Sequence, residues 1–109
     1  MEIGTPQWPA HDAFAFDNES PRHRTLVPAM ALASRTVTNA EYRVFIDDGG
    51  YREPGLWLSD GWALLQDEGW QRPLYWHEDG AREFTLGGWR EIDPQAPACH
   101  VSYFEADAF

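Results

Sequence analysis

Nine glycines and eight prolines are spread along the whole of this 109-residue sequence, not gathered into a linker. Glycine supplies the left-handed backbone that ends helices and tight turns, and proline withholds a backbone donor from helix interiors and central strands. The chain is therefore expected to form short elements joined by irregular segments, as one folded unit without an internal domain boundary. No repeat, charge block or low-complexity tract breaks that pattern.

The clearest local signal is Thr38-Asn39-Ala40-Glu41, a capping box in which Thr38 caps the backbone and Glu41 reaches back. A helix is expected from there, with Tyr42, Phe45 and Ile46 on one face and Gly49-Gly50 supplying the terminator. A second helix is expected over about Asp60 to Glu68, with Ser59 as its cap, Trp62 and Leu65 facing inward and Gly69 ending it. Upstream, Thr5 to Asp12 reads as a loop. Phe14 and Phe16 suggest an extended piece pairing with Thr25 to Ala33, where Pro28 would confine the partner to a sheet edge. Downstream, Glu83 to Leu86 and Trp89 to Ile92 are β-prone runs linked by Gly87-Gly88, the pattern of a primed hairpin turn. A second capping box, Ser102-Tyr103-Phe104-Glu105, announces a helix with seven residues left in the sequence. That reads as a cut through a larger domain, the alternative being a frayed terminal turn docked on the body.

Charge excludes one class of function. Eighteen acidic residues against eight basic ones give −10, so phosphate-backbone binding is unfavourable and nucleic acid is not an expected partner. Cys99 is the only cysteine, which rules out an intrachain disulfide or a multi-cysteine zinc site within the sequence and fits a reducing, cytoplasmic setting. There is no basic n-region followed by an apolar stretch, and no run of about 18 apolar residues, so neither export nor membrane spanning is expected. A domain of this size buries only about 60 to 65% of its unfolded surface, which predicts modest stability without a partner.

The polar residues offer few constellations. Asp17, Glu19 and His23 have the ligand chemistry for a divalent ion, but the favoured reading is a turn pinned by Pro21, with the carboxylates accepting hydrogen bonds or pairing with Arg22 or Arg24. His77 and His100 lie outside any HxxxH or HExxH pattern and read as structural; His11 reads as solvent-facing. Cys99 and His100 are neighbours in an extended segment, where adjacent side chains diverge, so a buried structural thiol is favoured over a nucleophile. Trp57, Trp62, Trp70, Tyr75 and Trp76 could line a pocket for a quaternary ammonium group, although large aromatics more often form the core of an irregular fold.

Phe14-Ala15-Phe16-Asp17-Asn18-Glu19-Ser20-Pro21-Arg22-His23 followed by Val37-Thr38-Asn39-Ala40-Glu41-Tyr42 resembles the start of the sulfatase-modifying-factor domain, the family that includes formylglycine-generating enzymes. The block from Asp48-Gly49-Gly50-Tyr51 through Leu56-Trp57-Leu58-Ser59-Asp60-Gly61-Trp62 to Pro73-Leu74-Tyr75-Trp76 is similar to the hercynine oxygenase branch of ergothioneine biosynthesis. His100-Val101-Ser102-Tyr103 with Glu105-Ala106 matches too. The resemblance implies an α+β fold of C-type-lectin-like topology, incomplete here, with short strands and two to three short helices, residues 1–109 being the N-terminal part of the domain.

It further implies a fragment or short homologue of an iron(II)- and O2-dependent enzyme that joins hercynine to a thiol as a sulfoxide. In such enzymes three histidines of a preceding four-helix domain hold the iron, so Fe(II) is not expected to bind this chain alone. No catalytic or metal-ligating residue of the family maps onto the sequence, and the chain is expected to be inactive in isolation. Trp62, Tyr75 and Trp76 are the residues such a resemblance offers for substrate binding. The alternatives are a non-catalytic lectin-like binding or scaffold module, and a piece of the formylglycine-generating branch, which needs a cysteine pair that Cys99 cannot supply. A missing domain or a second copy would be the partner.

Overall fold

In a computed structural model, residues 1–6 and 14–109 are described, and they fall into two compact units, 1–33 and 34–109. Composition does not announce that division. The loop read over Thr5 to Asp12 lies mostly outside the described residues, as does His11.

In the first unit, β1 (Glu2–Ile3) pairs antiparallel with β2 (His23–Arg24), Glu2 opposite Arg24 and Ile3 opposite His23. The expected strand at Phe14 and Phe16 is absent. Their rings instead meet edge to face at 4.9 Å just before a single 3₁₀ turn at Asp17–Glu19, and 25–33 forms no strand. The Met1 carbonyl accepts the Thr25 amide at 2.9 Å, closing the ribbon. Edge pairing this short is set by the turn at 17–21, not by apolar alternation, which explains why the pattern misplaced it. The carboxylates of that turn serve the backbone: Glu19 accepts from the Phe16 amide at 2.7 Å and Asp17 from the Asn18 amide at 2.8 Å. Arg22, expected as a carboxylate partner, donates to the Gly4 carbonyl at 3.0 Å.

The second unit holds the core. Helix α1 (Asn39–Asp47) starts at the Thr38 capping box, where Thr38 Oγ1 accepts from the Glu41 amide and the Glu41 carboxylate accepts from the Thr38 amide. Its first amides are also fastened from outside. Asn39 N donates to Ala96 O at 2.9 Å and Ala40 N to Pro94 O at 3.0 Å, while the buried Asn39 side chain donates to Asp93 O. The helix closes at Gly49, whose φ of +87° is the left-handed terminator expected there. Helix α2 (Ser59–Glu68) ends at Gly69 with φ +68°, but Ser59 lies inside it; Leu58 occupies the cap position and no side chain caps the helix. Tyr42, Tyr51, Trp57, Leu65 and Ala108 form the buried cluster, with Phe45, Ile46, Trp62, Trp70 and Phe104 packed around it.

Strands β3 (Arg82–Thr85) and β4 (Gly88–Glu91) make the expected hairpin one residue out of the expected register. Thr85 opposes Gly88, so Leu86-Gly87 is the link, and the positive φ falls on Gly88 at +96°. Neither linking residue is left-handed, so the turn is not of a primed type; the left-handed glycine follows it, as in a bulged hairpin. The segment 75–77 runs beside β3, with Phe84 N donating to Tyr75 O and His77 N to Arg82 O. Helix α3 (Tyr103–Ala108) begins at the Ser102 capping box and is docked, not frayed: Glu105 and Ala108 are buried, and the Phe109 ring stacks on Tyr42 at 5.3 Å.

Candidate functional site

Two non-glycine residues in the described chain have a left-handed backbone, Tyr75 at φ +72° and His100 at φ +60°. An L side chain reaches that region at an energetic cost, so surrounding contacts must hold it there. These two hold each other. Leu74 N donates to His100 O at 3.2 Å, and the Tyr75 and His100 rings meet edge to face at 5.0 Å. Next to them a cavity of about 350 Å³ is lined by Trp70, Arg72, Leu74, His100, Val101 and Glu105. No hydrogen bond joins the phenol to the imidazole among the described residues, so the pair is not arranged for proton transfer.

Of the three aromatics expected to bind substrate, each lies in a different setting. Trp62 is half-buried on α2 against the core, and Tyr75 is exposed beside His100. Trp76 is buried, with the Arg43 guanidinium 5.4 Å from its ring centroid. Arg43, on α1, also donates to the Gly80 carbonyl, so a cation already occupies the Trp76 face. Of the cavities described in this section and below, none is lined by two of the three residues. Trp57 is core as expected, its indole donating to Gly50 O at 2.8 Å.

The other candidates resolve individually. Cys99 is exposed, not buried as expected, and its thiol lies 3.4 Å from Pro97 O. His77 accepts from the Asp79 amide and lies 3.0 Å from the Asp79 carboxylate, in a turn where the Ala81 amide holds Asp79 down to a pKa of about 2. His23 Nδ1 contacts Pro21 O at 3.1 Å. Among the described residues no group of three or more His, Cys, Asp or Glu side chains is placed to hold a metal ion.

The polar feature that residue patterns did not reveal is a buried relay in the core. Tyr51 Oη donates to Glu105 Oε1 at 2.5 Å, and Tyr42 Oη lies 3.2 Å from Tyr51 Oη. Because the one proton of Tyr51 goes to Glu105, Tyr42 must donate to Tyr51. Burial pushes the Tyr42 phenol up to about 12, and burial with the Glu105 and Tyr42 contacts pushes Tyr51 further up. Both phenols therefore stay protonated through neutral pH, and the relay ties α1, the 50–52 turn and α3 together.

Residues 2–109 match the sequence profile of the sulfatase-modifying factor enzyme 1-like domain. The chain belongs to that family. It is 45% identical over 100 residues to a hercynine oxygenase of Mycolicibacterium thermoresistibile, covering 92% of this chain and 22% of that protein. With hercynine oxygenases of Mycolicibacterium smegmatis and Mycobacterium tuberculosis it shares 43% over 95 residues and 39% over 100, covering 87% and 92% of this chain. The match covers 22% and 24% of those proteins, so the chain spans about a fifth to a quarter of the length of these relatives. The short helices and two-stranded sheets joined by irregular segments are consistent with part of such a domain.

Proposed function

We propose that this chain is the N-terminal part of the sulfatase-modifying-factor domain of a hercynine oxygenase, acting as scaffold, with the reacting groups supplied by other parts of that enzyme. The similarity over some nine-tenths of the chain, to three proteins carrying that one name, is the observation that carries the reading. The use of its polar groups agrees with it: Glu105, Asn39 and Arg43 are each engaged in fastening one segment to another. On this reading the fold is part of a C-type-lectin-like domain, and iron(II), O2, hercynine and a thiol meet outside the residues described. Tyr75, held in a costly backbone conformation with its ring accessible, is the one of the three expected aromatics left free to face a substrate or another domain.

The test is a graft. Replacing the matching segment of the Mycolicibacterium smegmatis enzyme with residues 1–109 is expected to leave a folded protein that forms the sulfoxide from hercynine, a thiol and O2, read by mass spectrometry. A chimera that folds but makes no sulfoxide would sink the reading. The isolated chain supplied with iron(II) and the same substrates is expected to make none, and product there would overturn the scaffold role.

A further inference from the structure

We propose that a cavity at the C-terminal ends of α1 and α2 is a binding site for a small dianion bearing carboxylate or phosphate oxygens. Its volume is about 590 Å³, and Arg52, Arg72, Gln66, Gln71, Trp70 and Asp47 are among the residues that line it. The second unit has six arginines, and four of them are spoken for. Arg35 pairs with Glu41, Arg82 with Asp79 and Arg90 with Glu83, while Arg43 donates to Gly80 O. The guanidinium groups of Arg52 and Arg72, the remaining two, make no hydrogen bond or ion pair with another described residue, and both residues line this cavity, Arg72 at its border with the cavity beside His100.

That placement is unusual in a chain of net charge −10, where a cation has no shortage of carboxylates to pair with. Asp47 is the one carboxylate side chain in the lining beside Arg52 and Arg72, and the two arginines have to outweigh it and the carbonyl ends of α1 and α2 for an anion to bind. Guanidinium forks match planar carboxylate and phosphate oxygens two bonds at a time. The Gln66 and Gln71 amides, also without a described partner, add neutral donors, and the half-buried Trp70 gives an apolar wall for the body of the ligand. The site lies wholly within residues 46–72 and uses none of the three aromatics considered above.

The experiment is a titration of the 109-residue chain with inorganic phosphate and, separately, with succinate, followed by amide, arginine Nε and indole NMR shifts at constant ionic strength. Saturable shifts at Arg52, Arg72 and the Trp70 indole are expected with at least one probe, and the tighter arm identifies the oxyanion class. Arg52→Gln and Arg72→Gln are each expected to weaken that binding about tenfold or more, and Arg90→Gln to leave it unchanged. Shifts that never saturate with either probe, or that map away from the cavity, would overturn the site. Because the wild-type map alone decides this, a variant that fails to fold does not rescue the proposal.

Discussion

Tyr51 shows how much of this small core hangs on one hydroxyl. Its oxygen both receives the Tyr42 proton and gives its own to Glu105, and Glu105 in turn accepts the Ser102 amide that opens α3. Tyr51→Phe keeps the ring packed against Phe45 and Trp57 but strands two buried polar groups, an expected loss of about 1 to 3 kcal/mol in urea unfolding. Tyr42→Phe removes only the end of the chain of bonds and should cost less. The same residues set an alkaline limit. A phenol whose folded pKa is raised contributes stability that is complete below its ordinary value of about 10 and is lost as pH rises through the folded value, near 12 for Tyr42. The urea midpoint should therefore fall as pH rises above about 10, and the fall should be shallower in Tyr51→Phe; an unchanged slope would mean the relay is not what titrates.

At the scale of elements, α1 carries the opposite limit. Glu41 is held down to about 2 by its hydrogen bonds from Arg35 and from the Thr38 amide. A depressed carboxylate contributes stability present above its unfolded value, about 4.5, and lost as pH falls through 2. Far-UV circular dichroism should show helix lost over that acid window, and Glu41→Gln should flatten the loss. The contact between α2 and α3 is tighter still: a Cβ on Gly61 would sit 2.7 Å from the Phe104 ring. Gly61→Ala, although it favours α2 itself, is expected to cost about 1 to 3 kcal/mol by overpacking, read as a lower melting temperature with helix content kept at low temperature. These cases also show what residue patterns convey. Both capping boxes were legible because their bonds span three residues, and Gly49 and Gly69 because a left-handed terminator has a residue-type marker. The need for glycine at 61 was not, since it is imposed by a ring from the far end of the chain. The same holds at the candidate site. The aromatic density was visible, but Tyr75 and His100 give no sign in their identity that their backbones are left-handed, and Cys99 was misjudged because burial preference is an average over proteins.

For the molecule as a whole, the two units differ in how they are held. In residues 34–109 the helices close over Tyr42, Tyr51, Trp57 and Leu65, whereas in the first unit both strands are two residues long and exposed and the 3₁₀ turn buries nothing. Backbone bonds without buried apolar cover open at low free energy, while those inside a packed cluster open only near the global limit. Native-state hydrogen exchange should therefore separate the chain into two classes. The amides of Ile3 and Thr25, and those of the turn at 17–20, are expected to exchange fast and with little dependence on urea. Those in the middles of α1 and α2 should be protected together, with exchange that rises as the global transition is approached. Five of the six tryptophans, Trp57, Trp62, Trp70, Trp76 and Trp89, belong to the second unit, so fluorescence should chiefly follow its cooperative transition and miss most of the earlier loss of the first. If the amides of β1 and β2 proved as protected as those of α1, packing supplied from elsewhere would have to hold that ribbon, and the two units would have to unfold as one.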